Sequence, residues 1–244
     1  MSITDSAICL RATDYSETSQ VLTLLTRDGG VVRLMAKGTK RPRSKSGGRV
    51  DLLAEGRCVY AAGRGALATL MEFAETTAHS RLRRDLGRLN VALYMLELCG
   101  ALLGEGDPHP ETFDLLHNAL ARLEQPGAAP GAVLAYFQLR IARHAGLLGA
   151  LGACVTCGRP VGPRGAYFTS ADGGLLCADC EASATEKIAV PPAALAGLAA
   201  VAAAEAGRRT RLHEAQARAV NALLAYHVQY QLGRRLNAAA GAIG

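Results

Sequence analysis

Val21–Met35 reads VLTLLTRDGGVVRLM, and the reading of this stretch decides the first half of the fold. Two runs of β-branched and aliphatic residues flank Arg27–Gly30, RDGG, whose glycines tolerate positive φ, so the pattern predicts a β-hairpin. A further apolar run surrounds Ile8–Leu10. Residues 58–73 repeat the design as CVYAA, GRG and ALATLMEF. Five short strands within the first eighty residues predict a small closed β-barrel rather than an open sheet.

Directly after the hairpin, residues 36–49 read AKGTKRPRSKSGGR and crowd Lys37, Lys40, Arg41, Arg43, Lys45 and Arg49 together. No Asp or Glu stands between Asp28 and Asp51. Gly38, Pro42, Gly47 and Gly48 keep the segment out of regular structure, and Ser44 and Ser46 add neutral donors. A charge run of this kind is commonly a solvated loop. Its place at the end of a barrel hairpin points instead to a phosphate-binding loop. Tyr15, Tyr60 and Phe73 are the only aromatics of the first eighty residues, so contacts to nucleic acid should be mainly to its backbone. If all six cations engage a single strand, log K falls against log salt with a slope of about −4. Arg81, Arg83 and Arg84 either extend this track or form the exposed side of the following helix.

The apolar period changes after Ser80. Leu82, Leu86, Leu89, Leu93, Leu96 and Leu103 recur at helical spacing, with Ser80 as the expected N-cap. Glu111–Leu123 predicts a second helix with Phe113, Leu116, Leu120 and Leu123 on one side. A third is expected from about Ala132 to Leu148, closed by Gly149 and Gly152. Two more are expected over Pro192–Glu205 and Arg211–Leu236, the last with Leu212, Ala215, Ala219, Leu223, Tyr226 and Tyr230 on one face. The expected class is α+β and multidomain: a barrel over 1–79, then a helical domain over 80–244 interrupted at 152–184.

That interruption carries four of the seven cysteines. Cys154 and Cys157, then nineteen residues, then Cys177 and Cys180 form two CxxC pairs. Two such turns supply the four sulfurs of a tetrahedral zinc site, with Zn–S distances of about 2.3 Å. The intervening GRPVGPRGAYFTSADGGLL is turn-rich with a short Tyr-Phe-Thr strand, as a zinc-ribbon hairpin would be. A site closed by four thiolates has no open position for water, so the expected Zn²⁺ is structural. An iron–sulfur cluster is the other chemistry that four thiolates hold. Cys9, Cys58 and Cys99 stand among apolar neighbours and read as core residues. An odd cysteine total argues against a disulfide framework.

Composition narrows the class. The 244 residues are half apolar, which supports a sizeable core, and Lys and Arg exceed Asp and Glu by 27 to 21. The opening residues lack a secretory signal pattern, and the Ala-rich tract over 189–206 is too weakly apolar to span a bilayer, so a cytoplasmic protein is expected. No phosphate loop, nucleophile–base pair or paired-carboxylate site stands out, so no enzyme is expected. The His109–Glu111 triplet HPE superficially matches the start of the nucleobase-deaminase signature. Ala153 stands where that signature needs proline, and Cys177 and Cys180 would be left unexplained.

Taken in order, TDYSETSQVLTLLTRDGGVVRLMAKGTKRPRSK, the four-cysteine segment and AYHVQYQLGRRL resemble the RecO family of bacterial recombination-mediator proteins. The resemblance covers essentially the whole chain. It implies an N-terminal OB fold, a helical domain and an inserted zinc-binding segment. It also implies a DNA repair and recombination mediator that binds single- and double-stranded DNA and anneals complementary strands. With RecR, such a protein helps load RecA onto DNA covered by single-strand-binding protein (SSB), in a cytoplasmic, nucleoid-associated setting. The family motif KG-x-K/R-R falls on Lys37, Gly38, Lys40 and Arg41, with Arg43 and Lys45 following. The zinc ligands fall on Cys154, Cys157, Cys177 and Cys180. The alternative is a zinc-ribbon protein–protein adaptor with incidental nucleic-acid affinity.

Overall fold

The computed structural model describes residues 2–40, 48–61, 67–149, 151–162, 165–205 and 211–243. They pack as two compact units, Met1–Pro126 and Gly127–Gly244. The expected boundary at residue 79 falls inside the first unit, because residues 80–126 pack with it.

In the first unit, β1 (Ser2–Asp14), β2 (Gln20–Thr26), β3 (Gly30–Ala36), β4 (Glu55–Ala61) and β5 (Ala68–Thr77) form one sheet in the order β1-β2-β3-β5-β4. β1 also pairs along its first half with β4, so the ring of strands closes on itself. All pairings are antiparallel except a short parallel one between β3 and β5, Leu34↔Ala68 and Met35↔Thr69. Alternation directs Leu22, Leu24, Leu34, Cys58, Leu70 and Phe73 into the interior.

The hairpin forms where the sequence places it. Thr26 pairs with Gly30, which takes the left-handed φ of 71°. The buried Asp5 carboxylate accepts the turn amides of Asp28 and Gly29 at 2.9 and 3.0 Å. A Cβ at Gly30 would collide with the backbone of Asp107, because the connection after the first helix runs against β3 there. Val31 forms a parallel bridge with Glu105, and its carbonyl accepts Gly106 N–H at 2.9 Å.

Helix α1 spans Leu86–Leu102 and α2 spans Pro110–Glu124. Ser80 is not the N-cap of α1. Leu82–Arg84 is a separate 3₁₀ turn, and the Asp85 carboxylate caps α1 by accepting Arg88 N–H at 3.1 Å. The reason lies at His79, whose positive φ of 46° redirects the chain before the helix begins. Leu86 is accordingly 73% exposed instead of lying in the apolar stripe. On α2 the expected Phe113, Leu116, Leu120 and Leu123 are all buried.

Glu55, at the start of β4, gathers two of the histidines. Its carboxylate lies 2.6 Å from His117 Nδ1 on α2 and 3.4 Å from His79 Nε2. Glu124 approaches the other nitrogen of His79 at 3.5 Å. Burial raises the Glu55 carboxyl, but the hydrogen bonds and charge of the two histidines bring it below its ordinary value.

The second unit contains α3 (Pro130–His144), the three-stranded sheet β7-β6-β8, α4 (Pro192–Glu205), α5 (Glu214–Leu232) and the short α6 (Ala239–Ile243). β6 covers Ala166–Thr169, β7 Gly174–Cys177 and β8 Ile188–Ala189. Leu139 of α3, Phe168 of β6, Leu175 of β7, Leu198 of α4 and Leu224 of α5 share one core. The cysteine-bearing hairpin is therefore part of this core and not an appendage. Gln138 donates to Asn221 at 2.9 Å inside it, and Asn221 donates to Gly131 O at 2.9 Å.

Helix α3 ends four residues before the expected Leu148. Gly146, with φ 70°, closes it in a Schellman motif: Gly146 N–H bonds Arg143 O and Leu147 N–H bonds Ala142 O. A second difference lies on α5. Its buried stripe is Ala217, Val220, Leu223, Leu224, His227 and Val228, while Tyr226 and Tyr230 are exposed.

Candidate nucleic-acid interface and metal centre

The basic segment leaves β3 at Ala36 and returns to the sheet before β4. Arg41, Arg43 and Lys45 lie outside the described residues. Lys37 is exposed and makes no ion pair among the described residues.

Both ends of the segment are tied to one side chain that sequence reasoning did not single out. Gln20, fully buried at the start of β2, donates through Nε2 to Val50 O at 3.1 Å. Its Oε1 accepts Val50 N–H at 3.1 Å and the Thr39 hydroxyl at 3.2 Å. A buried amide with all these bonds satisfied holds the loop's two stems together, and losing it would strand several polar groups.

The local absence of acids is made good from a distance. Asp14, the last residue of β1, lies 3.1 Å from Lys40 Nζ and 3.5 Å from Arg49. Arg49 also holds Asp51 at 3.2 Å, and Lys40 donates to Ser16 O at 3.1 Å. The hydrogen bond from Lys40, with Arg49 close by, keeps the Asp14 carboxyl below the usual carboxylate range. Asp51 and Asp14 in turn raise the Arg49 guanidinium. Two of the six cations therefore carry an internal counter-ion that a phosphate would have to displace.

Of the arginines after the barrel, Arg83 bonds the carbonyls of Ala78 and Leu52, whereas Arg81 and Arg84 are exposed on the 3₁₀ turn. Tyr60 and Phe73 are buried in the sheet interior, and Tyr15 is 69% exposed beside Asp14.

The four cysteines meet. Their sulfurs all lie within 4.8 Å of one another, with Cys157 and Cys177 at 3.8 Å. Four sulfurs about 2.3 Å from a tetrahedral ion sit about 3.8 Å apart, so the spacing suits such an ion. Local turns present them. Gly158 N–H bonds Cys154 O at 2.8 Å and takes φ 71°, which folds the first CxxC into a knuckle. Val155 N–H bonds Leu175 O at 2.8 Å and fixes that knuckle to β7; Cys180 N–H bonds Cys177 O at 3.0 Å and closes the second.

The environment separates these thiols from the others. Burial raises Cys154, but backbone N–H groups of Cys177, Cys157 and Thr156 outweigh it and bring the thiol down to about 6. Arg159 lowers Cys157 through a 3.4 Å hydrogen bond to its sulfur, and pairs with Asp179 at 3.0 Å. Cys180 is pushed up to about 12 by its hydrogen bonds to Cys157 and Cys177, as expected of the last thiol in a group that shares protons. Burial likewise raises Cys9 and Cys58 to about 12, and raises Cys99, which makes these three inert core residues. Among the described residues, the four-cysteine group is the one cluster that could hold a metal ion.

Comparison with known proteins places the chain in a class. Residues 1–79 match the family model for Recombination protein O N terminal, and residues 83–240 match that for Recombination protein O C terminal. A DNA repair protein RecO of Myxococcus xanthus is 36% identical over 233 residues, covering 95% of this chain and 93% of that one. The DNA repair protein RecO of Rubrobacter xylanophilus is 38% identical over 226 residues, covering 90% of each. That of Synechococcus elongatus is 44% identical over a shorter stretch, 50% of this chain and 45% of that one. The chain belongs to the RecO family of DNA repair proteins. No helix among the described residues is long and apolar enough to cross a membrane.

Proposed function

We propose that this protein is a recombination mediator that binds single- and double-stranded DNA through the basic segment of an OB-type barrel and anneals complementary strands. The observation that carries the reading is the Gln20 clamp. A segment rich in Lys and Arg is mounted at both stems on a closed sheet, so that its cations are presented from a fixed base. The strand order β1-β2-β3-β5-β4, with β1 pairing at both of its edges, supports the OB-type reading.

The chemistry needed is electrostatic. Lys37, Lys40, Arg41, Arg43, Lys45 and Arg49 lower the repulsion between two polyanions without reading bases, and no nucleotide hydrolysis is required. RecR and SSB are the proposed protein partners, and RecA loading the proposed outcome. Cys154, Cys157, Cys177 and Cys180 would hold one Zn²⁺. With all four positions taken by thiolates, that ion supplies folding energy to the second unit and no reacting site.

Salt dependence tests the loop. A slope of log K against log salt of about −4 is expected on a single strand if all six cations engage. A slope of about −3 is expected if Lys40 and Arg49 stay with their aspartates. Replacing Lys40, Arg41 and Arg43 by Glu should abolish this binding at moderate salt. Unchanged affinity in that variant would reject the loop as the DNA site and favour the zinc-ribbon adaptor.

A further inference from the structure

The proposed annealing needs two strands in hand, and the basic segment accounts for one backbone track. The outward side of α5 offers a different kind of surface. Its stripe of Ala217, Val220, Leu223, Leu224, His227 and Val228 is spent on the core of the second unit. Tyr226 and Tyr230 stand one turn apart away from that stripe, 36% and 46% exposed, in a chain with only seven tyrosines and no tryptophan. Gly233, in the left-handed conformation, ends the helix, and the exposed Arg234 and Arg235 follow at once. Neither arginine makes an ion pair among the described residues.

The tyrosine closer to the helix start is held in place. The Tyr226 hydroxyl donates to Glu186 Oε1 at 2.7 Å, and Glu186 Oε2 accepts the amides of Ser170 at 2.6 Å and Ala171 at 3.3 Å. Gln231 donates to Ser170 O at 2.6 Å from the same helix. The phenol end is thus anchored, so little side-chain freedom remains to be lost when something stacks on the ring.

We infer that Tyr226 and Tyr230, with Arg234 and Arg235, form a second nucleic-acid surface that takes the unpaired bases of a single strand. This rests on the reading that the protein anneals DNA. Residues four apart on a helix are separated by about 6 Å along its axis. Stacked bases lie about 3.4 Å apart along a strand, so two rings one turn apart each take one base from an opened strand. Duplex DNA keeps its base faces covered and offers this surface only phosphates. The two arginines supply contacts for those phosphates.

A protein partner fits the face less well. Its exposed neighbours on α5 are Ala222, Gln229 and Gln231, and no Leu, Ile, Val, Met or Phe on α5 is exposed beside the tyrosines to form the apolar centre such an interface needs. The selectivity for unpaired bases also gives annealing a direction. A strand held by its bases loses that hold once the bases pair, so the duplex is released while the single-stranded reactant is retained.

The absence of tryptophan makes a direct test possible. Tyr230→Trp creates a single tryptophan, which can be excited apart from the remaining tyrosines. Its emission should be quenched by oligo-dT but not by a duplex of the same length or by inorganic polyphosphate. Equal quenching by polyphosphate, or none while oligo-dT is bound, overturns the inference. Tyr226→Ala/Tyr230→Ala should weaken oligo-dT binding by about tenfold or more and slow annealing. Tyr226→Phe, which keeps the ring and loses the bond to Glu186, should bind as the parent does. Arg234→Gln/Arg235→Gln should weaken binding and flatten the salt slope. Unchanged binding and annealing in the double alanine variant would overturn the proposal and leave the face to a protein partner. If the parent protein neither binds nor anneals DNA, the annealing reading falls and takes this inference with it. If the parent anneals and only the tyrosine variants are silent, this inference alone falls.

Discussion

Asp14 Oδ2 and Lys40 Nζ lie 3.1 Å apart, joining the end of β1 to the stem of the basic segment that follows β3. The carboxylate occupies a place beside Lys40 and Arg49 that a DNA phosphate would compete for. Removing its charge in Asp14→Asn should strengthen single-strand binding by about two- to fivefold, the range of an exposed ion pair. The salt slope should steepen slightly at the same time, because Lys40 becomes available while Arg49 keeps Asp51. Fluorescence anisotropy over a salt series measures both; weaker binding with an unchanged slope would contradict the competition.

Gln20 predicts a stability effect in an unusual place. Gln20→Ala leaves Val50 N–H and Val50 O without their partner in a buried site, and leaves the Thr39 hydroxyl only its longer bond to Ala36 O. A loss of about 1–3 kcal/mol is expected by chemical denaturation. DNA affinity should fall with it, since the loop stems are no longer joined. A full-affinity, fully stable Gln20→Ala protein would show the clamp to be dispensable.

The cysteine cluster predicts about one zinc per chain by elemental analysis of anaerobically prepared protein. Cys177→Ser should lose the metal. Because Phe168 and Leu175 of the same hairpin lie in the core with α3, α4 and α5, the thermal midpoint of the whole second unit should drop. Apparent binding energies of structural zinc run to about 10–16 kcal/mol, so chelation should be visible in the unfolding trace. Wild-type melting in metal-free protein would exclude a structural ion.

Glu55 sets an acid limit on the first unit. Its carboxyl sits below its ordinary value of 4.5 in the folded state. A lowered carboxylate pKa stabilises the fold above the unfolded value, and that stability is lost as pH falls through the folded value. Glu55→Gln should therefore melt below the parent at pH 7, and the gap should narrow as pH falls below the ordinary carboxyl value of 4.5. A gap in melting temperature that persists unchanged at pH 3 would contradict the assignment.

Some of this architecture was readable in order along the chain. The RDGG hairpin, the stripe of α2 and the four cysteines rest on short-range spacing, and each appears where its period puts it. Most of the misses depend on partners distant in sequence. Asp14 answers Lys40 and Arg49 only because β1 and β3 both flank β2. The true cap of α1 follows from a turn at His79 that no capping rule announces. Gly146 closes α3 ahead of Gly149 because the chain must turn early enough for Leu147 and Leu148 to reach the core. Tyr226 and Tyr230 fit a helical stripe by spacing, but on α5 the core takes a different arc. Which arc is taken depends on where α3 and α4 lie.

The contact of Gly30 and Val31 with residues 105–107 has a consequence for the fate of the chain outside its native state. β3 pairs with β5 over only two residues, so most of that strand's far edge would otherwise present free amides and carbonyls. The connection between α1 and α2 occupies part of this edge through Val31 and Glu105. A Gly30→Ala change would push the connection away from the strand. The bared edge would then be a template for pairing with another copy, so this glycine guards the protein against self-association as much as it shapes a turn.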